Sequence, residues 1–199
     1  MADKPQPKAA TGSLIIFTGP SGVGKGTLLK ALVKRHPHLY VSISATTRSP
    51  RPGEVHGQHY YFVSREHFQH MMMTGELLEW AEFAGNFYGT PKQAVIDQVH
   101  AGQSVVLEIE LEGARQIHRA FPNACRIFIL PPSIDELEHR IRLRGQDDDS
   151  AIAQRLEHAR REIEAAAEFD VQIVNDDLEQ ALQQLEQVLF SEVSISPAN

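Results

Sequence analysis

Leu14-Ile15-Ile16-Phe17 runs into Gly19-Pro20-Ser21-Gly22-Val23-Gly24-Lys25-Gly26-Thr27, and that loop runs into Leu28-Leu29-Lys30-Ala31-Leu32-Val33. An apolar strand, a glycine-rich turn and a helix in that order leave few folds open, because this is the context a phosphate-cradling loop needs. The glycines let backbone N–H groups converge on phosphate oxygens with no Cβ in the way. The helix adds its N-terminal dipole, and Lys25 can reach the β- and γ-phosphates as a point charge. Gly26 stands where the general pattern has Ser or Thr, and Thr27 follows one step later. The loop marks a phosphate-donor site and leaves the reaction open.

The 199 residues suit one domain with small inserts, and a hydrophobic fraction of 42% is ordinary for a globular protein with a sizeable core. A net charge of −7 and a pI near 5.8 argue against bulk binding to nucleic acid or to a membrane surface, but not against nucleotides, which need only a few local cations. Cys125 is the only cysteine, so an intramolecular disulfide and a multi-cysteine zinc site are excluded. It sits in an apolar run and reads as a small core residue. No stretch is long and apolar enough to span a bilayer. Residues 1–12 are rich in Lys, Pro and Ala, lack the apolar stretch of a secretory signal and read as a disordered arm. Residues 194–199 read as a tail. A reducing, cytoplasmic setting is expected.

Strand-like runs alternate with helix-like runs. Strands are expected at Leu14–Thr18, Leu39–Ile43, Val105–Ile109, Arg126–Leu130 and Val171–Val174. Helices are expected at Lys25–Lys34, Pro91–Ala101, Ala114–Ala120, Ile134–Leu143, Ile152–Ala167 and Leu178–Phe190. Such alternation implies an α/β fold with a mostly parallel sheet flanked by helices. Thr90-Pro91 reads as N-cap and first helical residue, and Ser133 with Glu136 as a capping box. Residues 44–91 interrupt the pattern as a small α+β insert, with strands near Tyr60–Val63 and Leu77–Phe83 and a helix near Arg65–Met73. Residues 140–161, bent at Gly145, read as a helical flap. The core of a domain spanning 13–193 is then 13–43, 92–139 and 162–193.

Within the insert, Arg48 and Arg51 flank a proline turn and suit bidentate binding of one phosphate, to which the Tyr60 hydroxyl can donate. A solvated basic loop is the competing explanation, and the neighbouring phosphate loop tips the balance. Glu79 alternates with Leu78 and Trp80 and is open to reading as a solvated strand face; Thr90 is open to reading as a cap. Glu108 and Glu110 close a buried strand at the end where ligands of open α/β sheets collect, and one such acid commonly sits near Mg²⁺.

Together these residues resemble the guanylate kinase family over Ser13 to about Phe190. The marks are GPSGVGKGT, TTRSPRPGE, the Gly57–Phe62 stretch, EWAEFAGNFYGTP, LEIELEGA and a late arginine-rich segment. The resemblance implies a P-loop three-layer core with a GMP-binding insert at 44–91 and a helical lid at 140–161. It implies that ATP lies on Gly19–Thr27 with Asn175 near the adenine, although an Asx turn explains Asn175 equally well. It implies GMP phosphate on Arg48, Arg51, Tyr60 and Tyr88, and guanine read by Ser44, Glu79, Thr90 and Glu110. Guanine's N1 and N2 donors suit carboxylates, and its O6 suits a hydroxyl. Arg140, Arg144 and Arg155 match the lid arginines, which with Lys25 and Arg48 would neutralise the transition state. Mg²⁺ would arrive with ATP, with Thr27 and Glu108 as its candidate protein ligands. No general base is needed, because the accepting phosphate is largely ionised near neutral pH.

Three departures stand out: Gly26, Glu110 where the family often has Asp, and Thr90 where Ser is common. The expected activity is phosphoryl transfer from ATP to GMP by a monomer or homo-oligomer, with no nucleic-acid or membrane partner. A kinase of another small phosphorylated acceptor and a non-catalytic binding module are the alternatives. A GTPase ranks last for want of an Asn-Lys-x-Asp motif.

Overall fold

The computed structural model describes residues 12–143, 145 and 148–190. The expected N-terminal arm (Gly12 aside), the C-terminal tail and Arg144 lie outside the described residues. The chain forms two compact units. One comprises residues up to Ile16 together with Pro37–Cys125; the other comprises Phe17–His36 together with Arg126 onward.

Strand β1 (Leu14–Thr18) belongs to both units and is buried along its whole length. In the first unit it continues a parallel sheet in the order β2 (Tyr40–Val41), β7 (Val105–Glu108), β1. Tyr40 and Val41 pair with Val105 and Val106. In the second unit the order is β1, β8 (Cys125–Leu130), β9 (Val171–Val174), and β8 and β9 are parallel. The apolar runs at β1, β7 and β8 are what a parallel sheet covered on both faces demands. The α/β expectation holds, and β1 and β9 have the expected bounds.

The first unit also holds a four-stranded sheet in the order β4 (Tyr61–Phe62), β3 (Ala45–Thr46), β6 (Asn86–Pro91), β5 (Leu77–Phe83). Period-two alternation gives this sheet two unlike faces. Phe87 and Ala45 pack with Phe68 and Met71 of α2 (Arg65–Met73) in a small apolar core. The Phe68 and Phe87 rings stack with centroids 5.5 Å apart. In β5, Glu79 and Ala81 are buried while Trp80 and Glu82 are exposed.

Helix α3 (Lys92–His100) starts after Pro91, and Thr90 is a strand residue, not its cap. Pairing to Glu79 across β5 and β6 holds Thr90 extended. Helix α4 (Leu111–Ala120) begins three residues earlier than expected, because the extended backbone of Glu110 makes that residue its N-cap. Strand β6 was not expected. Its glycine and proline are poor strand signals, and pairing with β5 and β3 overrides them.

In the second unit, α1 (Lys25–Arg35) and α7 (Leu178–Phe190) pack together, and α5 (Ile134–Leu143) packs on α6 (Asp149–Glu164). The Asp148 carboxylate accepts the Ala151 N–H at 2.8 Å and starts α6 earlier than the apolar pattern suggests. A 3-10 turn at Ala165–Glu168 ends it. The capping box at α5 is half made: Ser133 Oγ accepts the Glu136 N–H, while the Glu136 carboxylate pairs with Arg140.

Phe128 is fully buried and meets Phe169 edge-on at 5.1 Å. Phe128→Ala is expected to cost about 3–5 kcal/mol, read as a lower urea midpoint.

Candidate active site

The glycine loop joins β1 to α1 in the second unit, and two of its glycines are fixed by what surrounds them. Gly19 has φ +146°, and a Cβ there would lie 2.3 Å from the Ile129 carbonyl oxygen of β8. Gly24, the N-cap of α1, has φ +101°, and a Cβ would lie 2.5 Å from Asn175 Nδ2. Asn175 is buried at the end of β9 and donates to the Val23 carbonyl oxygen at 2.8 Å. Arg140 Nη1 donates to the Asn175 carbonyl at 2.9 Å and reaches Val23 O at 3.4 Å, while its Nε binds Glu136. Asn175 and Arg140 therefore brace the loop backbone itself. The Asx role belongs to Asp177, whose Oδ1 accepts the Gln180 N–H.

Helix α1 has no side-chain cap and no acid in its first turn, so its N-terminal dipole faces the loop undiminished. The Lys25 ammonium folds back and donates to the Gly19 and Pro20 carbonyls. Pro20, Ser21, Gly22, Val23 and Gly26 complete the loop, and Thr27 is exposed in the first helical turn. Arg155 is half-buried on α6.

The second constellation lies in the first unit, where Ser44, Tyr60, Glu79, Tyr88, Glu108 and Glu110 line one pocket. Glu79 is only 4% exposed. Register places it opposite Thr90, whose hydroxyl donates to Glu79 Oε1 at 2.6 Å. Burial pushes the Glu79 carboxyl up to about 7; Thr90 opposes the shift and Glu110 adds to it. A solvated strand face is ruled out for Glu79: Trp80 is the exposed neighbour. Glu110 is the N-cap of α4, yet its side chain makes no cap bond. Burial first, then the Glu108 carboxylate, pushes the Tyr60 hydroxyl up to about 12, so it stays protonated and able to donate.

The Arg48 guanidinium lies over the Tyr60 ring at 5.4 Å, and Tyr60 and Tyr88 meet edge-on at 6.1 Å. Both Arg48 Nη atoms bind the Glu54 carboxylate at 2.9 Å, and Glu54 also accepts the Arg51 backbone N–H at 2.7 Å. The Arg51 side chain is exposed. Glu54 was not singled out from the sequence. Its place three residues after Arg51, across the Pro52-Gly53 turn, was the available signal. Gly113 and Gln116 of α4 were also missed. A Cβ on Gly113 would lie 2.0 Å from Glu79 Oε2, and Gln116 bonds the backbone of Trp80.

A glycine loop between a parallel strand and a helix, braced around an inward lysine, defines an α/β protein of the phosphate-loop nucleotide-binding class. Residues 11–192 match the family model described as guanylate kinase. The chain is 66% identical over 180 residues to a guanylate kinase of Nostoc sp. (strain PCC 7120), covering 90% of each chain. It is 62% identical over 187 residues to one of Thermosynechococcus vestitus, covering 94% of this chain and 96% of that one. The crystal structure of guanylate kinase from Anaplasma phagocytophilum superposes with a TM-score of 0.76 at 34% identity, covering 90% of this chain and 85% of that one. The chain belongs to the guanylate kinase family.

The raised Glu79 carboxyl has a consequence for stability. The folded protein binds its proton more tightly than the unfolded chain does, so the stabilisation is complete below about pH 4.5 and is lost as pH rises through about 7. Glu79→Gln removes this dependence. Between pH 4.5 and 8 the urea stability of the wild type should fall relative to that variant by up to about 3 kcal/mol.

Proposed function

We infer that the chain transfers the γ-phosphoryl group of ATP to GMP, giving ADP and GDP. The observation that carries the reading is Glu79: a buried carboxyl, fixed by Thr90, lining a pocket with Ser44, Tyr60, Tyr88 and Glu110. Guanine presents N1–H and N2–H donors together, and Glu79 and Glu110 are acceptors for them. Adenine has an acceptor at N1 and no N2 amine, so it leaves a buried carboxylate unpaired. Sites built on such bonds reject the wrong partner by roughly 10⁴–10⁵ in the best cases. Ser44 completes the guanine contacts, and the buried Thr90 hydroxyl, whose proton goes to Glu79, can offer guanine only its acceptor oxygen. Arg48, Arg51, Tyr60 and Tyr88 take the GMP phosphate, and Arg48 exchanges its Glu54 partner for phosphate oxygens.

ATP phosphates lie in the Gly19–Thr27 loop, where convergent N–H groups and Lys25 neutralise them. Arg140, Arg144 and Arg155 balance charge on the transferring group, and Asn175 serves the adenine side as well as bracing Val23. Among the described residues no group of three or more His, Cys, Asp or Glu side chains is arranged to hold a metal ion. Mg²⁺ would be held largely by phosphate oxygens and water, and the exposed Thr27 hydroxyl of one unit and the Glu108 carboxylate of the other are each candidate protein ligands. Mg²⁺, when bound, supplies charge neutralisation between the phosphates. Catalysis otherwise rests on alignment and electrostatics, since the ionised acceptor phosphate needs no base. Among the described residues no helix is long and apolar enough to cross a membrane. A cytoplasmic setting is proposed on the single cysteine, which allows no intramolecular disulfide.

With ATP and equal GMP, AMP, CMP and UMP, turnover is expected on GMP alone. Activity on AMP or UMP without GMP would sink the guanine assignment. Lys25→Ala should cut kcat by about 10²–10³ and leave GMP binding by calorimetry intact. Arg48→Ala should chiefly raise the KM for GMP.

A further inference from the structure

Among the described residues β5 is the outer strand of the smaller sheet, so one side of its backbone has no strand neighbour there. At Trp80 that side is closed by a side chain. Gln116 Oε1 accepts the Trp80 N–H at 3.2 Å, and Gln116 Nε2 donates to the Trp80 carbonyl at 2.7 Å. One primary amide thus supplies the donor–acceptor pair that a neighbouring strand would supply. The bonds fix the residue next to Glu79 in the chain, beside the irregular register between Leu77 and Glu79 where β5 is least constrained by β6.

The same helix meets Glu79 a second time. Gly113 leaves only enough room for the carboxylate, since a Cβ would fall 2.0 Å from Oε2 and 2.8 Å from Cδ. The other oxygen is held by Thr90. Glu110 is the N-cap of helix α4. One rigid element therefore carries the second carboxylate of the pocket, clamps the strand bearing the first, and shapes the notch that receives it.

We propose that Gln116 and Gly113 are positioning residues for guanine recognition: acting through α4, they fix the Glu79 carboxylate relative to Glu110 and so set the selectivity for a 2-amino purine monophosphate. Neither touches substrate. The proposal rests on the GMP reading above and adds residues to it.

The test compares wild type, Gln116→Leu and Gly113→Ala, with kcat and KM for GMP and for IMP at saturating ATP, KM for ATP, and Tm. IMP keeps N1–H and O6 and lacks only the N2 amine. Gln116→Leu keeps the volume and removes both bonds. Gly113→Ala favours the helix backbone and disturbs only the notch, so it remains informative if the first variant folds poorly. Both variants should lower kcat/KM for GMP by about tenfold or more, as expected for a misplaced bond to a charged group, mostly through KM. IMP should lose less, so the GMP:IMP ratio contracts, while KM for ATP stays unchanged. An unchanged GMP:IMP ratio in both variants, or equal losses on both substrates accompanied only by a lower Tm, overturns the proposal. A wild type that is inactive on GMP overturns the functional reading, and the positioning role with it. A wild type active on GMP with unaffected variants overturns the positioning role alone.

Discussion

The hydrogen bond from Thr90 to Glu79 allows an acid to sit at the bottom of the smaller sheet. A carboxyl with almost no solvent contact is costly to ionise, and the cost falls when its oxygens have partners. Thr90 supplies one from the facing strand, and the register of β5 against β6 puts the pair opposite each other. The remaining architecture of this unit serves that placement. Phe68 and Phe87 fill the reverse face of the sheet, so the two strands hold their positions, and α4 closes the outer side of β5.

The second unit solves a different problem, holding a backbone in an unusual curve. Gly19 has no room for a side chain against β8, and Gly24 has none against Asn175. Both constraints arise from close packing, so the loop's shape is imposed by its surroundings as much as by its own conformational freedom. Arg140 adds a charged tether to the same carbonyl that Asn175 holds.

Much of this was legible in the sequence. The apolar runs announced β1, β8 and β9, because a buried parallel strand demands a distinctive composition, and the glycines announced the tight turn between β1 and α1. The insert was less transparent. β6 carries Gly89 and Pro91, and β3 is two residues long; such strands exist only because partners fix them, and pairing is not written in local propensity. The resemblance named Glu79, but alternation alone could not say which of Glu79 and Trp80 faces inward. Glu54, Gly113 and Gln116 were invisible for a related reason. Their importance lies in what they abut in space: a guanidinium, a carboxylate oxygen and a strand edge.

The ion pair between Arg48 and Glu54 carries a further consequence. The carboxylate is tethered six residues along the same chain and engages both guanidinium Nη atoms, so it acts as a permanent competitor at high local concentration. Any anion that takes Arg48 must displace it. A small, freely diffusing anion with no other foothold competes poorly. An anion attached to a larger molecule gripped elsewhere in the pocket meets Arg48 at a comparable local concentration and can win. The arginine is thus screened from the salts of the cell.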